Sequence, residues 1–377
     1  MRYLRYLGMD AHLFLMKNDL VQKHFLPEND TYCFNSWKPY IHYLDYDIKQ
    51  GIFFVSPLRI RRTFKGYNIL IGSGMVPIYL TKAWIKLDIF YPYAAGIEFV
   101  NAYRVMNKTI DSSLKKILGY LLRKIMIFSL KRTRLCISTG LTVDRSAFDE
   151  IGIQMKRIPI PMVFNLEEPL IQGKESRLSS LIDRIEKYDR RFFCHVSHVP
   201  YKDKVPILSG FKRYLDISGD LSAVLVFVEY GTTVDATKEL IEEAQLTERV
   251  IWLPVLTRPE IIELLKIMSF GFSEFGGHMW GGTGWEFLSV GLPFFHYIEM
   301  TAESFYDELD FPVPRFFNMK SPEEIGQTIN KYVTDNVEYD SLKDDMKVWF
   351  NNFGGKGLGE RYVEMINQLH QIKKNNV

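Results

Sequence analysis

The run Gly281-Gly282-Thr283-Gly284 is flanked by Trp280 and Trp285 and followed at once by an acid, Glu286. It comes after a strand-like stretch, SFGFSEF, and opens a helix-like one, EFLSVG, that closes at Gly291-Leu292-Pro293. At such a junction the first-turn N–H groups of a helix point outward, and the helix dipole favours an anion. Glycines let a diphosphate come close to the backbone; the bland alternative is a tight turn. Glu286, near the helix start, has the reach to accept hydrogen bonds from a ribose hydroxyl pair, or is simply a favourable first-turn charge. Glu274 precedes the run as a second candidate polar contact. These residue types point to a nucleoside diphosphate as the ligand.

Other clusters carry less. His195, His198, His278 and His296 have no carboxylate or cysteine partners at metal-ligand spacing, so no metal or other cofactor is expected. Cys33, Cys136 and Cys194 are too dispersed for a disulfide framework and fit a reducing compartment. A formal charge of +2 argues against a nucleic-acid partner. There is no run of about twenty apolar residues, so no spanning helix is expected, and the N-terminus does not read as a signal peptide.

The elements that must position these residues follow from apolar periodicity. GIFFVS (51–56), YNILIGSG (67–74), LDIFYPY (87–93), RLCIST (134–139) and KRIPIPMVF (156–164) are continuous apolar runs, which suit buried parallel strands. A polar stretch from about Asn165 to Arg190 reads as a linker and a helix. A second alternation then runs from RFFCHVSH through SAVLVFVEYG, RVIWLPVL and SFGFSEF to PFFHY, with a helical segment between successive strands. The expectation is an α/β chain of two doubly wound, Rossmann-like domains. Their predicted bounds are 1–165, 166–345 and a helical tail, 346–377, that returns to the first domain. RYLRYLG reads as the end of a helix and DAHLFLM as the strand after it. The strand and loop that normally come first are missing from this pattern, and the reading favours a chain that starts downstream of its true beginning.

With these motifs placed, the second half resembles the C-terminal domain of family-4 retaining glycosyltransferases, which have the GT-B architecture. Glu286-Phe-Leu-Ser-Val-Gly291-Leu-Pro293 is similar to that family's helix Glu-Ala-Met-Ala-x-Gly-x-Pro. The resemblance implies that Glu286 holds the donor ribose and that the loop of Gly281, Gly282, Thr283 and Gly284 cradles its diphosphate. His278 stands where the family has its first glutamate, near the donor sugar. In HVSHVPYKDKVPILSGF the family's diphosphate-binding Arg falls on His198, and its Lys on Lys202 or Lys204. Val255 lies near the nucleobase. On the acceptor side the resemblance implies Gly72, Ser73 and Gly74 at a strand end, with Tyr91, Tyr93 and Glu98 near the reacting sugar. Tyrosines can stack on a sugar face and donate hydrogen bonds.

The implied activity is transfer of a sugar from a nucleoside-diphosphate sugar to a hydroxyl acceptor, a sugar or a lipid-linked oligosaccharide, in surface-polysaccharide synthesis. A catalytically inactive partner of the same fold, or a nucleotide-sugar epimerase, are the alternatives. Residues 107–134 combine an apolar stripe, Leu114, Ile117, Leu118, Leu121, Leu122 and Ile125, with Lys115, Lys116, Arg123, Lys124, Lys131, Arg132 and Arg134. Such a helix suits an anionic membrane surface, or packs on a core with a solvated basic face. The expected location is cytoplasmic, peripheral at the inner face of the membrane.

Overall fold

The computed structural model describes residues 1–17, 26–31, 33–92, 113–138, 148–159, 163, 175–200, 202–276 and 279–375. In the first half the elements are α1 (Arg2–Tyr6), β1 (Leu13–Leu15), α2 (Phe34–Trp37), β2 (Ile41–Tyr43), α3 (Ile48–Phe53), α4 (Pro57–Phe64), β3 (Ile71–Gly72), α5 (Val76–Lys82), β4 (Ile89–Phe90), α6 (Ser113–Arg132), β5 (Leu135–Ser138) and β6 (Met155–Arg157). In the second come α7 (Glu175–Ile185), β7 (Arg190–Cys194), α8 (Val205–Ser218), β8 (Ala223–Val228), α9 (Val234–Glu243), β9 (Val250–Leu253), α10 (Arg258–Leu265), β10 (Phe270–Phe272), α11 (Gly282–Val290), β11 (Phe294–His296), α12 (Ala302–Leu309) and β12 (Phe317–Asn318). The chain ends in α13 (Pro322–Thr334), α14 (Asn336–Trp349) and α15 (Lys356–Asn375).

All described strand pairs are parallel. The second half forms one six-stranded sheet in the order β12-β11-β10-β7-β8-β9, with crossover helices between its strands. Its order steps out from β7 in both directions, so the crevice expected of a doubly wound sheet opens at the carboxyl ends around β7 and β10. The first half forms two ladders, β1-β2 and β3-β4-β5-β6, and β1 and β3 border the same cavity of about 920 Å³. Two α/β units with parallel sheets thus face a cleft.

The many phenylalanines are core residues of the second sheet. Phe192 and Phe270 are register partners with rings 5.4 Å apart and nearly parallel, and Phe295 pairs with Phe317 at 4.7 Å. Each ring buries a large apolar area and adds the attraction of an aromatic pair, so the ladder fixes strand register as well as stability. The C-terminal α15 packs on the first half: Leu358, Tyr362, Met365 and Ile366 share a core with Ile89, Ile137 and Ile158. The Tyr362 hydroxyl donates to the Pro159 carbonyl at 2.9 Å.

Several elements differ from expectation: β12 is a strand beyond PFFHY where only a helical tail was expected, and the strand expected over 156–164 is described only at Met155–Arg157. GIFFVS is not a strand: Ile48–Phe53 is helical, and only Phe54, Val55 and Ser56 are extended or irregular beyond it. Asp47 accepts from the Gln50 N–H at 2.8 Å while the Gln50 side chain accepts from the Asp47 N–H at 3.1 Å. This capping box starts a helix where apolar content alone suggested a strand. The strand β2, a short run between Lys38-Pro39-Tyr40 and Asp45, has too few apolar residues to announce itself.

Candidate functional site

Glu286 lies in α11, whose amino end is Gly281 and whose carboxyl end is closed by Gly291 in the left-handed region at φ +68°. The side chain is 6% exposed, and its two oxygens have different partners. His195, the residue just beyond β7, has its Nε2 2.5 Å from Oε2. The Arg258 Nε, at the start of α10, lies 3.6 Å from Oε1. Burial alone would raise the pKa of this carboxyl; Arg258 and the hydrogen bond from His195 outweigh it and hold the carboxyl below its ordinary range. Arg258 in turn lies 3.0 Å from Asp30 Oδ1, and Arg2 reaches Asp30 Oδ2 at 2.6 Å. A line of alternating charge therefore runs from the first half, through Arg258, to the buried acid of the second. A carboxylate has about four lone-pair sites. His195 and Arg258 each take one oxygen, which leaves acceptor capacity for a hydroxyl pair.

The amino end of α11 is Gly281, which offers no side-chain cap to the first N–H groups of the helix. Beside it, a Cβ on Gly281 would stand 3.3 Å from Glu274 Oε1, and that same oxygen accepts from Lys202 Nζ at 2.7 Å. Glu274 therefore delivers the Lys202 ammonium to the mouth of the helix. Lys204 does something else: it is buried, and its Nζ donates to the Ser197 carbonyl at 3.2 Å and the Lys202 carbonyl at 3.3 Å. Desolvation lowers its pKa. It holds the loop that carries Lys202. Together the arrangement offers an anion-binding helix end, one cation near it, and a buried carboxylate one turn further in.

Comparison of the sequence with known protein families, and with curated proteins, finds no match. Comparison of the structure does. HepE of Anabaena, solved in complex with UDP, superposes with a TM-score of 0.62 over 95% of this chain and 100% of that one, at 13% identity. A glycosyltransferase of Rickettsia africae gives 0.57 over 96% and 99%, at 11% identity. WaaG, a glycosyltransferase involved in lipopolysaccharide biosynthesis, gives 0.53 over 97% and 93%, also at 11%. The two facing parallel sheets and these near full-length superpositions decide the architecture. The chain has the GT-B fold.

Within the GT-B frame the expected residues fall into three groups. Gly281, Gly282 and Thr283 surround the amino end of α11, with Lys202 and Glu286 close in sequence or contact to it. Gly72, Ser73 and Tyr91 line the 920 Å³ cavity of the first half, and Val255 is half-exposed with its carbonyl accepting from Arg177 at 2.7 Å. His278, Tyr93 and Glu98 lie outside the described residues. Gly284 has a packing reason rather than a ligand: a Cβ there would stand 2.4 Å from the Trp280 ring. Gly74, at φ +56°, turns the chain into α5.

His198 departs from its expected role as a diphosphate clamp. It is fully buried, with Nδ1 2.8 Å from the Thr237 hydroxyl and Nε2 donating to the Val228 carbonyl at 3.2 Å. Both ring nitrogens are thus engaged inside the fold. Burial, helped by the Lys204 charge, pushes its pKa down to about 4. Because the folded value lies below the unfolded one, the unfolded chain binds the extra proton between about pH 6.5 and 4. His198 therefore withdraws stability as pH falls through that window. A His198→Gln variant is expected to show a shallower loss of Tm than wild type between pH 7 and 4.5; parallel curves would contradict this.

His195 and Arg258 are the residues that sequence reasoning did not assign to the site. His195 was visible only as one of several histidines, and Arg258 as the first residue of a helix. Their link to Glu286 spans 91 positions in one case and crosses from α10 to α11 in the other. A weak signal existed: His195 ends the strand that leads the second domain, where doubly wound sheets place ligand-facing groups.

Proposed function

We propose that this protein is a retaining glycosyltransferase that moves a sugar from a nucleoside-diphosphate donor to a hydroxyl acceptor. The observation that carries the reading is the uncapped amino end of α11 with the Lys202–Glu274 pair beside it and Glu286 buried one turn in. The diphosphate lies against the α11 N–H groups and Lys202, which stabilise the charge that gathers on the departing nucleoside diphosphate. Glu286 accepts from the ribose hydroxyls. The second domain takes the donor and the first, around Gly72, Ser73 and Tyr91, takes the acceptor; closure of the cleft excludes water. The HepE complexes with UDP and with UDP-glucose support a uridine nucleotide as the first donor to try. WaaG, involved in lipopolysaccharide biosynthesis, supports an acceptor in bacterial surface-polysaccharide synthesis.

One observation favours a second reading, a GT-B protein without turnover: the carboxylate assigned to the ribose already carries Arg258 and His195. Thermal-shift titration with UDP, GDP, ADP and their sugars separates the outcomes. Saturating with the right nucleotide, at about 100 times its Kd, adds roughly 2.7 kcal/mol and a readable rise in Tm. No response to any of them overturns the transferase reading. A response to nucleotide without release of nucleoside diphosphate from any donor and acceptor pair favours the second.

A further inference from the structure

The acid assigned to the donor ribose has a competitor for its oxygens beside it. Arg258 is fixed there by the start of its own helix. The Glu260 side chain accepts from the Thr257 N–H at 2.7 Å and from the Thr257 hydroxyl at 2.9 Å, a closure that sets the first turn of α10. Arg258 is the first residue of that turn, and its side chain, 19% exposed, is carried to the edge of Glu286.

Two carboxylates share this one cation. The Arg258 Nε stands 3.0 Å from Asp30 Oδ1 and 3.6 Å from Glu286 Oε1. The first is a close ion pair; the second exceeds hydrogen-bond length. That nitrogen therefore gives Glu286 its charge without occupying a lone pair.

Asp30 is held from the other side. It follows the single turn Pro27–Asn29 in the first half, and Arg2 grips it twice. The Arg2 Nη2 reaches Asp30 Oδ2 at 2.6 Å and the Asp30 carbonyl at 3.2 Å. Arg2 is carried by α1, which is itself seated on α15: a Cβ at Gly359 would stand 3.3 Å from Tyr3. Asp30 thus pulls on Arg258 from a fixed point.

Without that pull the guanidinium would belong to Glu286. Arginine and carboxylate make their hydrogen bonds at about 2.7–2.9 Å, so a movement of roughly 1 Å brings Nε onto Oε1. Glu286 is 6% exposed, and attraction in so dry a site is weakly screened. A bond from a charged donor is stronger than one from a neutral hydroxyl, so Arg258 on Oε1 would exclude a ribose hydroxyl from that oxygen. The other oxygen already accepts from His195.

The geometry points to Asp30 as a positioning residue of the donor site: by drawing the Arg258 guanidinium toward the first half, it keeps Oε1 of Glu286 open to a ribose hydroxyl. This role rests on the assignment of Glu286 to the ribose and adds the residue that makes the acid available. It also gives the first half a part in nucleotide recognition, because Asp30 lies there while Arg258 and Glu286 lie in the second.

The test is calorimetric titration of the full chain with UDP, GDP and ADP, then with the 2′-deoxy form of whichever binds best. Wild type is expected to prefer the ribonucleotide on the order of tenfold, the worth of one hydrogen bond to a charged group. In Asp30→Ala that preference should largely vanish: the ribonucleotide binds on the order of tenfold more weakly, and the deoxy form loses far less. Melts without nucleotide verify the fold, and Asp30→Asn, which keeps the shape and loses the charge, should show the same change in part. Arg258→Met gives an independent arm. With no guanidinium to collapse, adding Asp30→Ala to it should leave ribonucleotide affinity unchanged. A wild-type preference in Asp30→Ala overturns the role, as does equal weakening of both nucleotides, which would make Asp30 a support of the fold only. So does a further loss when Asp30→Ala is added to Arg258→Met. These results leave the transferase reading standing, whereas absence of nucleotide binding by wild type removes that reading and this role together.

Discussion

A Glu286→Ala variant is expected to lose both nucleotide binding and a substantial part of the protein's stability. The carboxylate is the shared partner of His195 and Arg258 in a nearly dry site. Its loss leaves His195 without this partner in a dry site, while Arg258 keeps Asp30 at 3.0 Å; breaking a buried pair typically costs about 3–5 kcal/mol, and the retained Asp30 contact puts the expected cost at the lower end. The destabilisation follows from that geometry alone, whatever the ligand. The binding loss follows from the proposed ribose contact, and the two are separable. Glu286→Gln keeps the shape and one carbonyl acceptor, so it should melt closer to wild type yet still lose most of the nucleotide-induced rise in Tm. If Glu286→Ala gives the same nucleotide-induced rise as wild type, the ribose assignment is wrong. If it melts within about 1 kcal/mol of wild type, the ionic cluster contributes less than its burial implies.

Lys202→Ala should act in the opposite manner, with a large effect on turnover and a small one on stability. Its ion pair with Glu274 is partly solvated, and pairs of that kind contribute about 0–1 kcal/mol to folding. In the reaction the same ammonium would face charge that develops as the nucleoside diphosphate leaves. Groups aimed at developing charge are worth a factor of about 100–1000 in kcat. The expected result is a fall in kcat of that size with KM for the donor changed far less. Lys204→Met provides the contrast: Lys204 donates to two carbonyls inside the loop, so its loss should lower Tm and reduce activity only through the loop it supports. Wild-type kcat in Lys202→Ala would remove the lysine from the mechanism.

The helix from Gly282 to Val290 shows what was legible and why. Its Gly291 stop and its single acid are local facts, written in glycine conformational freedom and helix termini, and both stand in the structure; its start lies four residues before the expected EFLSVG, so Gly282, Thr283 and Gly284 form its first turn and not a loop. The same holds for β7 to β11, whose apolar runs are cleanly bounded; β12, only two residues long, reads as part of a helical tail. Where runs were short, local signals competed. Ile48–Phe53 is apolar enough for a strand, but the Asp47–Gln50 capping box favours a helix. On α6 the sequence shows two apolar faces and does not say which one a core will cover; packing takes Met126 and Leu130 and leaves Ile117, Leu121 and Ile125 outside.

The sequence by itself determined the two-domain α/β pattern, the helix closed by Gly291, the acid within it and the two lysines offered as candidates. Those are statements about periodicity and chain termini, which act over a few residues. Only the tertiary structure decided that Lys202 reaches the helix mouth while Lys204 is sealed in, that His198 is a core residue, and that His195 and Arg258 clasp Glu286. Each of these depends on burial and on charges brought within about 4 Å across long stretches of chain, where desolvation and Coulomb attraction outweigh any local preference. The same reason hid Asp30, which meets Arg258 only where the first half comes against the second.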